Sequence, residues 1–151
     1  MTDTGIDVQY AVSADGIPGA DSIRQWVGQA LPADNAAAEL TVRIVDEAEI
    51  TALNREYRGK DGPTNVLSFP YEEIPGIAAN LLGDVVVCAP VVVAESVAQD
   101  KPLEAHWAHM VIHGVLHLLG YDHHKEGEAS RMEATEIEIL AGLGYANPYE
   151  C

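Results

Sequence analysis

The segment HGVLHLLGYDHH, residues 113–124, contains four of the six histidines of the chain. His113 and His117 are four residues apart in a helical pattern, so both imidazoles project from one face and can bind a single ion. Gly120 can adopt a positive φ and end the helix, and His123 follows three residues later. The spacing H-x3-H-x2-G-x2-H predicts three nitrogen ligands and an open coordination position for water, as in a catalytic zinc site.

The other three histidines have a weaker claim to the metal. His109 lies four residues before His113 and forms a rival pair, and His106 lies on nearly the same face of the helix. Neither is followed by a turn and a third partner, so we interpret both as core residues or as groups that support the ligands. His124 is adjacent to His123 and would point elsewhere.

The glutamate of the zinc protease motif H-E-x-x-H is absent from this segment. That glutamate polarises the metal-bound water, and its position here is Gly114. Its absence argues against peptide hydrolysis as the reaction of this protein. A hydrolase of peptides or small molecules stays an alternative if a carboxylate lies near the metal in space. Asp122 is a candidate, either as an acid/base group or as a carboxylate that orients a histidine.

A short basic segment supplies a second chemical feature. The chain has a formal net charge of −16 and only eight Lys and Arg, yet Arg55, Arg58 and Lys60 fall within REYRGK. These cations can simply lie at the solvated end of a helix, where the helix dipole favours positive charge. They also suit phosphoryl transfer, in which a metal activates water and a guanidinium offsets charge on the phosphate oxygens. Arg58 is the candidate for that role, and Arg55 and Lys60 are candidate substrate-binding residues.

The elements that position these residues follow from hydrophobic periodicity. Asp46 and Glu49 resemble a capping box, and Gly59 suits a left-handed helix end. Two strands adjacent in sequence favour an α+β or mixed α/β fold, with a small mixed sheet of about four strands covered by about five helices. The metal site would lie on a helix and the turn after it. The predicted strands are 6–12, 40–44, 66–69 and 82–88, and the predicted helices 23–31, 46–58, 90–98, 104–119 and 125–143.

Length and composition narrow the class of protein. A chain of 151 residues predicts a single domain, 1–151. The longest apolar stretch is ten residues, too short to span a membrane. The first residues lack the basic and apolar regions of a secretory signal, and the two cysteines form no spacing framework. We therefore expect a cytoplasmic protein with no membrane partner.

Three segments together resemble a known family. HGVLHLLGYDH, LNREYRGKDGPTNVLSFP (residues 53–70) and LGDVVV (residues 82–87) are similar to the YbeY family of rRNA maturation endoribonucleases. The resemblance implies one zinc ion per chain bound by His113, His117 and His123, with Arg58 as the functional arginine. It also implies single-stranded RNA as substrate, in maturation of the 3′ end of 16S rRNA and in ribosome quality control.

The sequence defines the binding partners less closely than the metal site. A charge of −16 opposes unaided binding to RNA, so we expect the small ribosomal subunit or a ribosomal protein to recruit the chain, and we expect no DNA. A non-catalytic ribosome-assembly factor with a structural metal is a further alternative.

Within the matching segments, Asp84 can bind turn amides or act in catalysis, and Ser68 can bond the backbone or face the cleft. Asp61, Gly62 and Pro63 form a turn that would aim Arg58 and Lys60.

Overall fold

The computed structural model describes residues 6–13, 16–31, 38–70, 81–120 and 126–149. Its elements follow the predicted order, with most boundaries within two residues of those expected. The strands are β1 (Ile6–Tyr10), β2 (Glu39–Val45), β3 (Val66–Pro70) and β4 (Leu81–Cys88), and the helices are α1 (Ala20–Ala30), α2 (Glu47–Arg58), α3 (Ala89–Ala98), α4 (Leu103–Leu118) and α5 (Glu126–Gly142).

The four strands form one mixed sheet in the order β1-β2-β4-β3. β1, β2 and β4 are parallel, whereas β3 pairs antiparallel with β4 at the edge. The helices between the parallel strands supply the crossover connections that such pairs require. The predicted mixed α/β fold of four strands and five helices is confirmed.

The side chains of β4 alternate between two hydrophobic cores, as the period of a strand requires. Val85 and Val87 lie in the larger core, with residues of α1 and α4 such as Trp26 and Trp107. Val86 lies in the smaller core on the other face, with Ile50 of α2. Helix α4 therefore covers one face of the sheet, and α2 covers the other.

Helix α4 packs unusually close to the strands at the edge of the sheet. An ideal Cβ built on Gly114 would lie 2.5 Å from Cγ1 of Val85 and 3.2 Å from Cγ2 of Val66. The Ser68 hydroxyl donates a hydrogen bond to the Gly114 carbonyl oxygen over 2.8 Å. Glycine at position 114 thus allows β3 and β4 to approach the backbone of α4, which fixes the helix that carries His113 and His117.

The ends of α2 and α4 show the predicted turn chemistry, with one difference. Gly59 and Gly120 have φ of 66° and 104°, as expected for helix ends. The Asp46 side chain accepts a hydrogen bond from the Glu49 amide over 2.9 Å, which is half of the predicted capping box. The Glu49 carboxylate instead binds Arg43 of β2, 2.7 Å from its Nε atom. In the described part of the chain, no helix is long and apolar enough to cross a membrane.

Candidate metal centre

His113 and His117 face each other on α4. Their Nε2 atoms are 3.2 Å apart, and their ring centroids are 4.7 Å apart. Zinc–nitrogen bonds of about 2.0–2.1 Å at a tetrahedral angle place two ligand atoms about 3.3 Å apart. The two imidazoles thus have the separation of two ligands of one ion.

A buried carboxylate from α5 lies on the other side of His113. Glu136 is fully buried, with one oxygen 2.5 Å from Nδ1 of His113 and the other 3.0 Å from Nε2 of His109. The Tyr149 hydroxyl also donates a hydrogen bond to the oxygen that faces His109. Three side chains from two other parts of the chain therefore converge on one carboxylate.

The hydrogen bonds keep this carboxylate ionised. Burial by itself raises the pKa of Glu136, but the hydrogen bonds from His109 and His113 outweigh burial and lower the pKa to about 2. The pKa of Tyr149 shifts in the opposite direction. Burial raises it, and the contact with the Glu136 carboxylate raises it further. At neutral pH the group is a buried anion bonded to a neutral phenol.

A second geometry for a metal ion includes this carboxylate. One ligand atom from each of His109, His113 and Glu136 can be chosen so that all lie within 4.8 Å of one another, and these residues could hold a metal ion. In this arrangement His109 would be a ligand, in contrast to the sequence interpretation.

His106 lies about one turn before His109 in α4 and forms a separate polar pair with Glu95. Its Nε2 atom is 2.9 Å from the Glu95 carboxylate, which also accepts from Asn65 over 3.2 Å. Burial lowers the pKa of His106, and the Glu95 carboxylate only partly offsets that effect. The structure therefore places His106 in the core as a neutral side chain.

The basic segment lies at the end of α2. Arg55 forms an exposed ion pair with Asp61, 3.2 Å from its Nε atom. Arg58 is exposed in the last helical turn, and Lys60 is exposed just after it. The buried Asn54 side chain donates to the Gly62 carbonyl oxygen over 3.0 Å and thereby fixes the turn at residues 59–62.

Comparison with known proteins identifies the family of the chain. A family model described as Endoribonuclease YbeY matches residues 14–144. The chain belongs to the YbeY endoribonuclease family. Its fold resembles the solution structure of TM1509 from Thermotoga maritima, with a TM-score of 0.61 and 23% identity over 97% of this chain and 99% of that one. Membership of the family supports an endoribonuclease role in rRNA processing, and the resemblance read from the three motifs is confirmed.

The structure brings only part of the predicted family site together. His113 and His117 are paired, whereas Asp122, His123 and His124 lie outside the described residues. The Gly120 amide donates to the His117 carbonyl oxygen over 3.0 Å, so the chain begins to turn directly after α4.

The two other polar residues of the motifs lie on neighbouring strands. Ser68 bonds the backbone of α4, one of the two roles considered for it. Asp84, considered as a residue that binds turn amides, lies within β4 opposite Phe69.

Glu136 and Tyr149 are the site residues that sequence reasoning missed. Glu136 occupies the middle of a buried stripe of α5, between Met132 and Leu140, each four residues away. A carboxylate is almost never fully buried unless it is paired. This break in an apolar stripe was the signal that could have identified it, whereas no local pattern marks Tyr149.

Proposed function

We propose that this chain is a zinc-dependent endoribonuclease that cleaves single-stranded RNA during maturation of the 3′ end of 16S rRNA and in ribosome quality control. The observation that carries the proposal is the 3.2 Å separation of the Nε2 atoms of His113 and His117, in a chain of the YbeY family. The proposed third ligand is His123, which follows the turn at Gly120. The proposed stoichiometry is one zinc ion per chain.

The donor set and its geometry favour this site over the one that includes Glu136. Zinc accepts imidazole nitrogen readily, and 3.2 Å is close to the ligand separation of about 3.3 Å that a tetrahedral ion requires. The contact between Nδ1 of His113 and Glu136 is 2.5 Å, the length of a short hydrogen bond. An ion between those two atoms would have to push them apart.

Zinc bound at this site would lower the pKa of its water and polarise a phosphate oxygen. We propose that Arg58 supplies positive charge to the other phosphate oxygens. Among the described residues, Arg55 is held by Asp61, whereas Arg58 has no ion pair. Its exposed guanidinium can hold two phosphate oxygens at once, and Lys60 can bind a neighbouring phosphate as a point charge.

Peptide hydrolysis fits the geometry less well. A side chain at position 114 would run into Val85, so the position that carries the protease glutamate faces the sheet and not the metal. Glu136 is the one described carboxylate paired with His113, but it is fully buried and contacts the nitrogen remote from His117. A carboxylate with a pKa of about 2 is also a poor general base at neutral pH.

The net charge of −16 makes recruitment a separate part of the proposal. A surface of that sign repels a polyanion, and the cluster of Arg58 and Lys60 provides only local attraction. We propose that a ribosomal protein of the small subunit brings the enzyme to its rRNA in the cytoplasm. Binding to free RNA should then be weak and should weaken further with salt.

Single-turnover cleavage of a single-stranded RNA by metal-quantified variants tests the function. The zinc-loaded parent should cleave, and a chelator should abolish cleavage. His117→Ala should lose zinc and cleavage together, whereas Glu95→Gln, which alters a partly buried pair outside the site, should retain both. If the zinc-loaded parent cleaves no RNA, even with ribosomal particles present, the protein is an assembly factor and not a nuclease.

A further inference from the structure

We infer that Glu136 is a positioning residue that fixes the tautomer and orientation of His113 for zinc, and that His109 and Tyr149 hold Glu136 in place. The inference rests on the proposed zinc site and deepens it. It assigns roles to three residues outside the proposed ligand set, and it removes His109 and Glu136 from the candidate ligands.

The contacts of His113 identify which of its nitrogens can bind zinc. A histidine that binds a metal through one ring nitrogen donates the proton of the other nitrogen to a carboxylate, a carbonyl oxygen or water. His113 therefore has its proton on Nδ1, the atom 2.5 Å from Glu136. The neutral ring then has its lone pair on Nε2, the atom that faces His117. The carboxylate thus sets the tautomer that can bind zinc.

The contacts of His109 explain why it is not a ligand. Its Nε2 atom lies 3.0 Å from Glu136 and 3.2 Å from the Tyr149 hydroxyl, so this nitrogen is directed at the carboxylate. Its Nδ1 atom is buried and has no hydrogen-bond partner among the described residues. His109 thus contacts the carboxylate through Nε2, as His113 does through Nδ1.

The two oxygens of Glu136 have different roles. One accepts from both His109 and Tyr149, and the other accepts from His113, its one partner within the described ranges. Two donors on the first oxygen restrict rotation of the carboxylate, so the second oxygen stays directed at His113. Because these groups come from α4, α5 and the segment after α5, the orientation of one ligand depends on how three parts of the chain pack.

The chain offers a matched control on the same helix. His106 of α4 and Glu95 of α3 form a partly buried histidine–carboxylate pair at 2.9 Å, similar in chemistry to the pair of His113 and Glu136. Glu95 has no contact with His113 or His117 among those described. A change at Glu95 therefore perturbs a carboxylate–histidine bond of α4 without touching the proposed ligands.

Zinc affinity measured by competition with a chelator, together with ¹⁵N NMR of the histidines, tests the inference. Glu136→Gln should weaken zinc binding about 10- to 100-fold, the range typical for loss of a carboxylate that supports a ligand. Glu95→Gln should change the affinity less than about threefold, since it lacks that role. In the zinc-loaded parent, NMR should show His113 protonated at Nδ1 and bound through Nε2.

Several outcomes would overturn the inference. Zinc binding by Glu136→Gln within threefold of the parent would do so, as would equal losses in the two glutamine variants or binding of His113 through Nδ1. If Glu136→Gln does not fold, Tyr149→Phe removes one donor and no charge, and it should weaken zinc binding several-fold. Unchanged zinc affinity in Tyr149→Phe would then refute the inferred role of Tyr149 in holding Glu136. Retention of zinc by His117→Ala would instead refute the proposed site itself.

Discussion

Replacing Gly114 with alanine tests whether the glycine after the first histidine is a packing requirement. The added methyl would lie 2.5 Å from Cγ1 of Val85, a distance at which a neighbouring atom must move, and 3.2 Å from Cγ2 of Val66. Overpacking of this kind costs about 1–3 kcal/mol. Any shift of α4 also weakens the bond from Ser68 to the Gly114 carbonyl, a bond worth about 1 kcal/mol.

Alanine favours the helix by about 1 kcal/mol, which offsets only part of these losses. We therefore expect Gly114→Ala to lower the free energy of unfolding by about 1–3 kcal/mol, measured by urea denaturation. Gly28→Ala is the matched control, because Gly28 lies in α1 with nothing within 4 Å of an added Cβ. That variant should be stabilised by about 0.5–1 kcal/mol.

A double-mutant cycle assigns the cost to the contact itself. Val85→Ala removes both methyl groups that an alanine at position 114 would meet on that side chain. In the Val85→Ala background, Gly114→Ala should therefore cost less than it does alone, with a coupling of about 1 kcal/mol or more. Additive effects, or a Gly114→Ala variant as stable as the parent, would refute the packing argument.

Four further changes have defined outcomes. Arg58→Ala should retain zinc and slow single-turnover RNA cleavage by about 10² or more, with partial rescue by lysine; cleavage at the parent rate would make Arg58 only a helix-end cation. Asp46→Ala should lower the free energy of unfolding by about 1 kcal/mol in urea, since it removes the α2 cap. Ser68→Ala should lower it by a similar amount, about 1 kcal/mol. Because burial lowers the pKa of His106, its contribution to stability should be present above about pH 6.5 and lost as pH falls below it; denaturation of His106→Gln at several pH values should show a flatter profile.

The sequence predicted the element order because each element has a strong local period. The four-residue spacing of His113 and His117 then required only that α4 be helical, and their 3.2 Å contact follows from one helical turn. Local pattern also predicted the turns, since Gly59 and Gly120 both adopt positive φ. These features depend on neighbours within a few residues, which a single sequence displays.

Contacts between distant segments could not be predicted in the same way. The bond of His113 to Glu136 joins residues 23 apart, and that of His109 to Glu136 joins residues 27 apart. Only half of the capping box forms, for a related reason: Asp46 caps the Glu49 amide, but a strand residue, Arg43, binds the carboxylate of Glu49. In each case the partner is selected by tertiary packing, which periodicity does not encode.

Gly114 and Glu136 together explain how the proposed site can do without the protease glutamate. In H-E-x-x-H proteins, the residue after the first histidine supplies the base beside the metal-bound water. Here that position packs against Val85, and the carboxylate comes from α5 to the opposite nitrogen of His113. A carboxylate in that place can orient a ligand but cannot reach a water molecule beyond Nε2. The negative charge on the reacting phosphate would then be stabilised by a cation that is not one of the metal ligands. This is the role proposed for Arg58.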